Sequence, residues 1–147
     1  MRVIVQRVTH ASCTVDNKIT GKIENGYMLL VGLKEGDTIK DLEKMVRKIS
    51  NLRIFCDEAG KINLNIHQVN GSILSISQFT LYADLKGNRP GFSEAMNPTL
   101  AKEYYLLFNE MLRKENLVVE EGIFGADMKI ELLNDGPITI VLDSEKI

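Results

Sequence analysis

The sequence predicts an α+β fold, a single domain rich in antiparallel sheet with two main helices. Three observations lead there. Short runs of alternating apolar and polar residues recur along the chain, they follow one another in hairpin order, and only two separate segments show helical spacing. At 147 residues, with no repeat, low-complexity tract or linker-like run, the chain is expected to form one domain over 1–147.

The elements are expected in this order. The opening alternates in period two, with Val3, Val5 and Arg7 on one side and Ile4, Gln6 and Val8 on the other. After His10, Ala11, Cys13 and Val15 alternate again and end at the turn signal Asp16-Asn17. A second hairpin is expected from Lys18 to Leu33, reversing at Asn25-Gly26, because Asn-Gly between apolar runs favours a tight turn. Asp37 can cap a helix in which Ile39, Leu42, Met45, Val46 and Ile49 recur at helical spacing. Leu52-Arg53-Ile54-Phe55 reads as a short strand. Ser72 to Tyr82 reads as a longer one, with Leu74, Ile76, Gln78 and Thr80 on one face. Asn97 followed by Pro98 starts the second helix, whose expected buried stripe is Leu100, Tyr104, Leu107, Phe108 and Met111. Three strand-like runs finish the chain: Leu117–Glu121, Met128–Leu133 and Ile138–Leu142.

Composition narrows the function. Hydrophobic residues are 44% and charged residues 26%, an ordinary globular balance. Gln6 and Arg7 interrupt the apolar start, so no signal-peptide core is expected, and no run approaches the roughly 18 apolar residues of a membrane span. Cys13 and Cys56 lie far apart at no redox or metal spacing, so a cytosolic protein with buried thiols and no membrane partner is expected. The net charge of −2 counts against a general nucleic-acid binder, which would carry excess basic charge. It leaves room for a protein that touches only the end of an RNA. Phosphate-loop, dinucleotide and Gly-x-Ser-x-Gly signatures are absent. His10 and His67 have no Cys or His neighbour at ligand spacing, so no metal site is expected.

Three segments carry more information: Ser77-Gln78-Phe79-Thr80-Leu81-Tyr82-Ala83-Asp84, Gly87-Asn88-Arg89-Pro90-Gly91-Phe92-Ser93, and Asn134-Asp135-Gly136-Pro137-Ile138-Thr139. With Val5-Gln6-Arg7-Val8-Thr9, Asn51-Leu52-Arg53-Ile54-Phe55 and Phe124-Gly125-Ala126-Asp127-Met128, they closely resemble the D-aminoacyl-tRNA deacylases, also called D-tyrosyl-tRNA deacylases. The likeness covers nearly the whole chain. Gly91 departs from the serine usual in that family, and Ile138 from its commoner valine.

The resemblance implies a homodimer that hydrolyses the ester of D-aminoacyl-tRNA without metal or cofactor. Ser77, Gln78, Phe79 and Thr80 would form the active-site floor at the dimer interface. Preorganised N–H groups of Phe79 and Thr80, with the Thr80 hydroxyl, would stabilise the negative charge that ester hydrolysis places on the carbonyl oxygen. Thr80 could instead be a nucleophile, but no His or Lys is adjacent in sequence to activate it. The preferred reading has the terminal ribose hydroxyl of the tRNA help water, with positioning supplying much of the rate.

Asn-Asp-Gly-Pro alone reads as a trans turn between strands. The resemblance implies instead a cis Gly136-Pro137 bond reaching into the partner's site to exclude L side chains, with Arg7 and Met128 in support. Glycyl-tRNA would then be a substrate too. A non-catalytic RNA-end-binding module is the rival from another class. On the first helix, Lys40, Lys44 and Lys48 recur at i, i+4, i+8 beside Arg47. They form either a solvated face or a stripe contacting tRNA phosphates.

Overall fold

The first strand, β1, runs unbroken from Arg2 to Val15 in a computed structural model that describes residues 1–147. It changes the face it buries part-way. Val3 and Val5 enter the larger core, whereas Val8, Ala11 and Cys13 enter a second cluster. The phase changes between Val8 and Ala11, where pairing with the last strand is irregular. Asp16 and Asn17 both take positive φ (49° and 64°), as two-residue hairpin turns require, and lead into β2 (Lys18–Ile23).

The expected hairpin at Asn25-Gly26 does not form. β2 and β3 (Gly26–Gly32) both pair antiparallel with β1, β2 along its residues 11–15 and β3 along residues 2–8. They are successive pieces of one neighbour, and Asn25-Gly26 is the kink between them. The glycine is needed for close approach. A Cβ at Gly26 would lie 1.8 Å from the Ser72 carbonyl oxygen, while the Asn25 carbonyl accepts from the Ser72 N–H at 3.0 Å. The kink therefore admits β6 (Ser72–Ser77) beside β3 instead of reversing the chain.

Helix α1 spans Ile39–Asn51 and is capped by Thr38, not Asp37; the Asp41 carboxylate accepts from the Thr38 N–H at 2.8 Å. Asp37 is taken by a stronger partner, since its carboxylate accepts from the Met1 ammonium at 2.5 Å and the Lys34 N–H at 2.7 Å. Helix α2 (Pro98–Lys114) begins as expected, with the Asn97 side chain accepting from the Thr99 and Leu100 N–H groups. Its buried face is rotated from the expected stripe, to Ala101, Tyr105, Phe108, Asn109 and Leu112. Two polar groups set that rotation: the Tyr105 hydroxyl donates to the Ser75 carbonyl at 2.7 Å, and the Asn109 amide to the Glu121 carboxylate at 2.7 Å.

The sheet is mixed. β8 (Lys129–Asp143) pairs antiparallel with one edge of β1 along most of its length, while β2 and β3 divide the other. Beyond β3, β6 and β7 (Val119–Glu121) are added in parallel, and each parallel join is crossed by a segment holding one helix. β4 (Phe55–Cys56) and β5 (Ile62–Leu64) form a small separate hairpin. The larger core packs Leu42, Met45 and Ile49 of α1 and Phe108 and Leu112 of α2 onto Val3, Val5, Leu29 and Ile73. Each such fully buried side chain contributes roughly 1.5–3 kcal/mol. On the opposite face the outer half of β1 and β2 curl over Met28, Leu74 and Ile76. The approach is close enough that a Cβ at Gly21 of β2 would sit 2.8 Å from the Glu121 carbonyl.

Candidate active site

The strand expected to reach Tyr82 stops at Ser77, and Phe79–Tyr82 coil into one 3-10 turn. Gln78 and Thr80 therefore do not continue the face of Leu74 and Ile76. The cause is loss of a ladder partner: the Gln78 N–H reaches the Val31 carbonyl at 2.7 Å, and β3 ends one residue later. Local bonds replace the ladder, from the Leu81 N–H to the Gln78 carbonyl at 3.3 Å and from the Ala83 N–H to the Thr80 carbonyl at 3.1 Å. Arg2 then pins the turn. Its guanidinium donates to the Leu81 carbonyl at 2.8 Å and to the Asp143 carboxylate at 3.2 Å, and lies 4.7 Å from the centre of the Tyr82 ring.

Beside this turn lies a pocket of about 300 Å³. Ser77, Gln78 and Phe79 line it, facing Phe124, Gly125, Ala126 and Met128. Thr80 is not in its wall, but its hydroxyl oxygen accepts from the Gln78 amide at 2.5 Å. The N–H groups of Phe79 and Thr80 head the turn, and a helical turn offers its first donors no acceptor of its own. No Asp, Glu, His, Lys, Arg or Cys lines the pocket. Its one titratable wall group is Tyr105, whose hydroxyl pKa is pushed up by burial. Phe124, Gly125 and Ala126 were not foreseen as site residues, although the Phe-Gly-Ala-Asp-Met run stands out in the sequence. Phe79 is 56% exposed and packs edge-on against Phe92 of the following loop, ring centres 4.9 Å apart. That loop is closed by paired backbone bonds between Asp84 and Gly91 at 2.7 and 2.9 Å. A Cβ at Gly91 would meet nothing nearer than Asp84 Cβ at 3.8 Å, so glycine in place of serine has no steric consequence there.

Gly136-Pro137 does not join two strands, because β8 is continuous through it. Gln6 pairs with Thr139 and Val8 with Asn134, so Asp135 to Ile138 bulge out opposite Arg7 alone. The Gly136-Pro137 bond is cis, and both residues are exposed. Arg7 is buried, at 6% exposed. Its Nε donates to the Asp135 carbonyl at 3.0 Å and a terminal nitrogen to the Ile54 carbonyl at 2.8 Å. Gly136 takes φ +121°, and a Cβ there would lie 2.9 Å from the guanidinium. Neither Gly136 nor Pro137 lines the pocket of its own chain.

Of the α1 cations, Lys44, Arg47 and Lys48 share a second cleft with Arg53, while Lys40 lies outside it. No group of three or more His, Cys, Asp or Glu side chains is arranged to hold a metal ion. No helix is long and apolar enough to cross a membrane.

The chain is similar to several known proteins. The pattern of D-Tyr-tRNA(Tyr) deacylase matches residues 4–143. A D-aminoacyl-tRNA deacylase of Lactobacillus gasseri is 55% identical over 144 residues, 97% of this chain and 99% of that one. One of Limosilactobacillus reuteri is 54% identical with the same coverage. Among solved structures, a c-Myc DNA Unwinding Element Binding Protein superposes with a TM-score of 0.92 at 46% identity, over 97% of this chain and 98% of that one. A probable eukaryotic D-amino acid tRNA deacylase shares the fold with a TM-score of 0.83 at 18% identity, over 96% and 97%. The chain belongs to the D-Tyr-tRNA(Tyr) deacylase family.

Proposed function

We propose that this chain hydrolyses the ester between a D-amino acid and the terminal ribose of a tRNA, acting as a homodimer and sparing L-aminoacyl-tRNA. The observation that carries this reading is the pocket at the end of β6, which lies beside the turn headed by the Phe79 and Thr80 N–H groups and has no carboxylate, imidazole, amine or thiol in its walls. Such a site suits a substrate that is already activated. The ammonium group beside an aminoacyl ester makes its carbonyl electrophilic, so positioning and charge stabilisation supply the acceleration.

Water adds to the ester carbonyl, and the N–H groups of Phe79 and Thr80 take the charge that develops on its oxygen. The adjacent terminal ribose hydroxyl of the tRNA orients the water and relays a proton, accepting the water's as it passes its own to the leaving ester oxygen. The carbon–oxygen bond then breaks, and the leaving ribose oxygen takes up a proton. Gln78 donates to the Thr80 oxygen, and no base lines the adjacent pocket to activate that hydroxyl as a nucleophile. Thr80 thus serves as a hydrogen-bond donor in this reading.

Chirality is checked by Gly136 and Pro137 of the other subunit, whose carbonyls receive the substrate ammonium while rigid backbone fills the direction of an L side chain. The arm is exposed and absent from the pocket of its own chain, which supports service to a second copy. Arg7 and the Asp135 carbonyl hold it. The test is single-turnover hydrolysis of D- and L-tyrosyl-tRNA on one tRNA body. Fast release of D-tyrosine with L-tyrosine retained is expected, and equal rates would refute the chiral reading.

A further inference from the structure

The C-terminal end of α1 borders a cleft that ester hydrolysis does not use. It measures about 630 Å³ and is lined by Lys44, Arg47 and Lys48 of α1 and by Arg53 just beyond. No Asp or Glu side chain lines it. None of the four cations is in an ion pair, unlike Lys34, Arg113 and Lys129 elsewhere on the surface. Lys44 donates to the Ser144 carbonyl at 2.9 Å and Arg53 to the Asn63 carbonyl at 2.7 Å, so their charges are oriented without being neutralised. On a chain with net charge −2, this is a local excess of positive charge. A ligand bearing several spaced anions, such as a nucleic-acid backbone, can meet all four, whereas a single carboxylate or phosphate can meet only part of them.

The cleft is also tied to the arm. Arg53 precedes Ile54, whose carbonyl takes one nitrogen of Arg7, while another nitrogen of the same guanidinium holds the Asp135 carbonyl. One buried side chain therefore spans from the cleft border to the base of the Gly136-Pro137 bulge. We propose that this cleft binds backbone phosphates of the tRNA whose charged end is checked by the Gly136-Pro137 of that same subunit. The identity of the RNA rests on the deacylase reading above. Lys40, which continues the helical stripe in sequence, takes no part.

Arg47→Gln/Lys48→Gln and, separately, Arg53→Gln test this in the full chain, with Lys102→Gln on α2 as a control. Affinity for uncharged tRNA is measured from about 50 to 200 mM salt, where phosphate contacts dominate the slope. Hydrolysis of D-tyrosyl-adenosine, which has no tRNA body, is measured alongside. Expected are roughly tenfold weaker tRNA binding and a salt slope reduced by about 0.7–0.9 for each cation removed, with adenosine-ester hydrolysis unchanged. Unchanged tRNA affinity and slope overturn the proposal, as does an equal loss on the adenosine ester. If the unmodified protein cleaves neither ester, the deacylase reading falls, while tRNA affinity and slope still decide on the cleft.

Discussion

Thr80 and Asp37 show how a residue's partner decides its role. The Thr80 hydroxyl receives a hydrogen bond from Gln78 and faces no base. Thr80→Ala is expected to lower kcat by no more than about 10²–10³-fold, the size of losing one charge-stabilising donor, against about 10⁶-fold for a lost nucleophile. Single-turnover rates on D-tyrosyl-tRNA read this directly, and a trapped acyl-Thr80 adduct would reverse the assignment. Asp37 pairs with the Met1 ammonium where both are almost fully enclosed, with side-chain exposures of 5% and 0%. Removing one member of a buried ion pair leaves an uncompensated charge, so Asp37→Ala should cost about 3–5 kcal/mol. Urea unfolding checks this, and an unshifted midpoint would mean that the ammonium finds another partner.

At the scale of elements, the bulge in β8 bears on the selectivity expected of the protein. A rigid arm that excludes an L side chain has nothing to exclude in glycine. Glycyl-tRNA is therefore expected to be hydrolysed at a rate near that of D-alanyl-tRNA, while L-alanyl-tRNA is spared. One methyl forced against fixed backbone costs typically about 1–3 kcal/mol, equivalent to roughly 5- to 150-fold. Rejection beyond that range requires the ammonium to be displaced from its carbonyl partners as well. The three charged tRNAs are compared on one tRNA body at equal enzyme. Survival of glycyl-tRNA would mean that the site reads the D side chain positively.

For the whole molecule, two expectations concern assembly and acid. Because the arm does not reach the pocket of its own chain, activity is expected to follow the dimer. Ultracentrifugation across a dilution series, with rates at each concentration, checks this; a fully active monomer would contradict it. The acid response centres on Asp143, which ties β8 to β1 through Arg2. Burial alone would raise its carboxyl pKa, but the Glu145 N–H and the Arg2 guanidinium outweigh it and hold the pKa below the ordinary value of 3.8. A depressed carboxyl contributes stability that is present above its unfolded pKa and lost as pH falls through the folded one. Asp143→Asn should therefore destabilise the protein at pH 7 and matter progressively less below about pH 4. Equal destabilisation at pH 7 and pH 2.5 in urea titrations would exclude this linkage.

Local chemistry was legible wherever the chain satisfies itself locally. Asp16-Asn17 forms its turn from two residues tolerant of positive φ, and Asn97-Pro98 starts α2 from its own side-chain oxygen and missing N–H. The helices and most strands follow from apolar period, and the segments Ser77–Asp84, Gly87–Ser93 and Asn134–Thr139 carry the family resemblance in the sequence itself. Tertiary structure decided the rest. Asn25-Gly26 has the residues of a hairpin turn, yet it is a kink because β6 needs the space a side chain would fill. Ser72 to Tyr82 alternates as one strand but stops at Ser77, because β3 runs out of backbone to pair with. Arg7 alternates with Val3 and Val5 along β1, but its place beneath the arm is set by carbonyls 47 and 128 residues away in sequence. In each case the outcome depends on which distant backbone group stands opposite. Periodicity registers which face of a segment is apolar; it carries no information on where a neighbouring strand ends or which carbonyl is left without a donor.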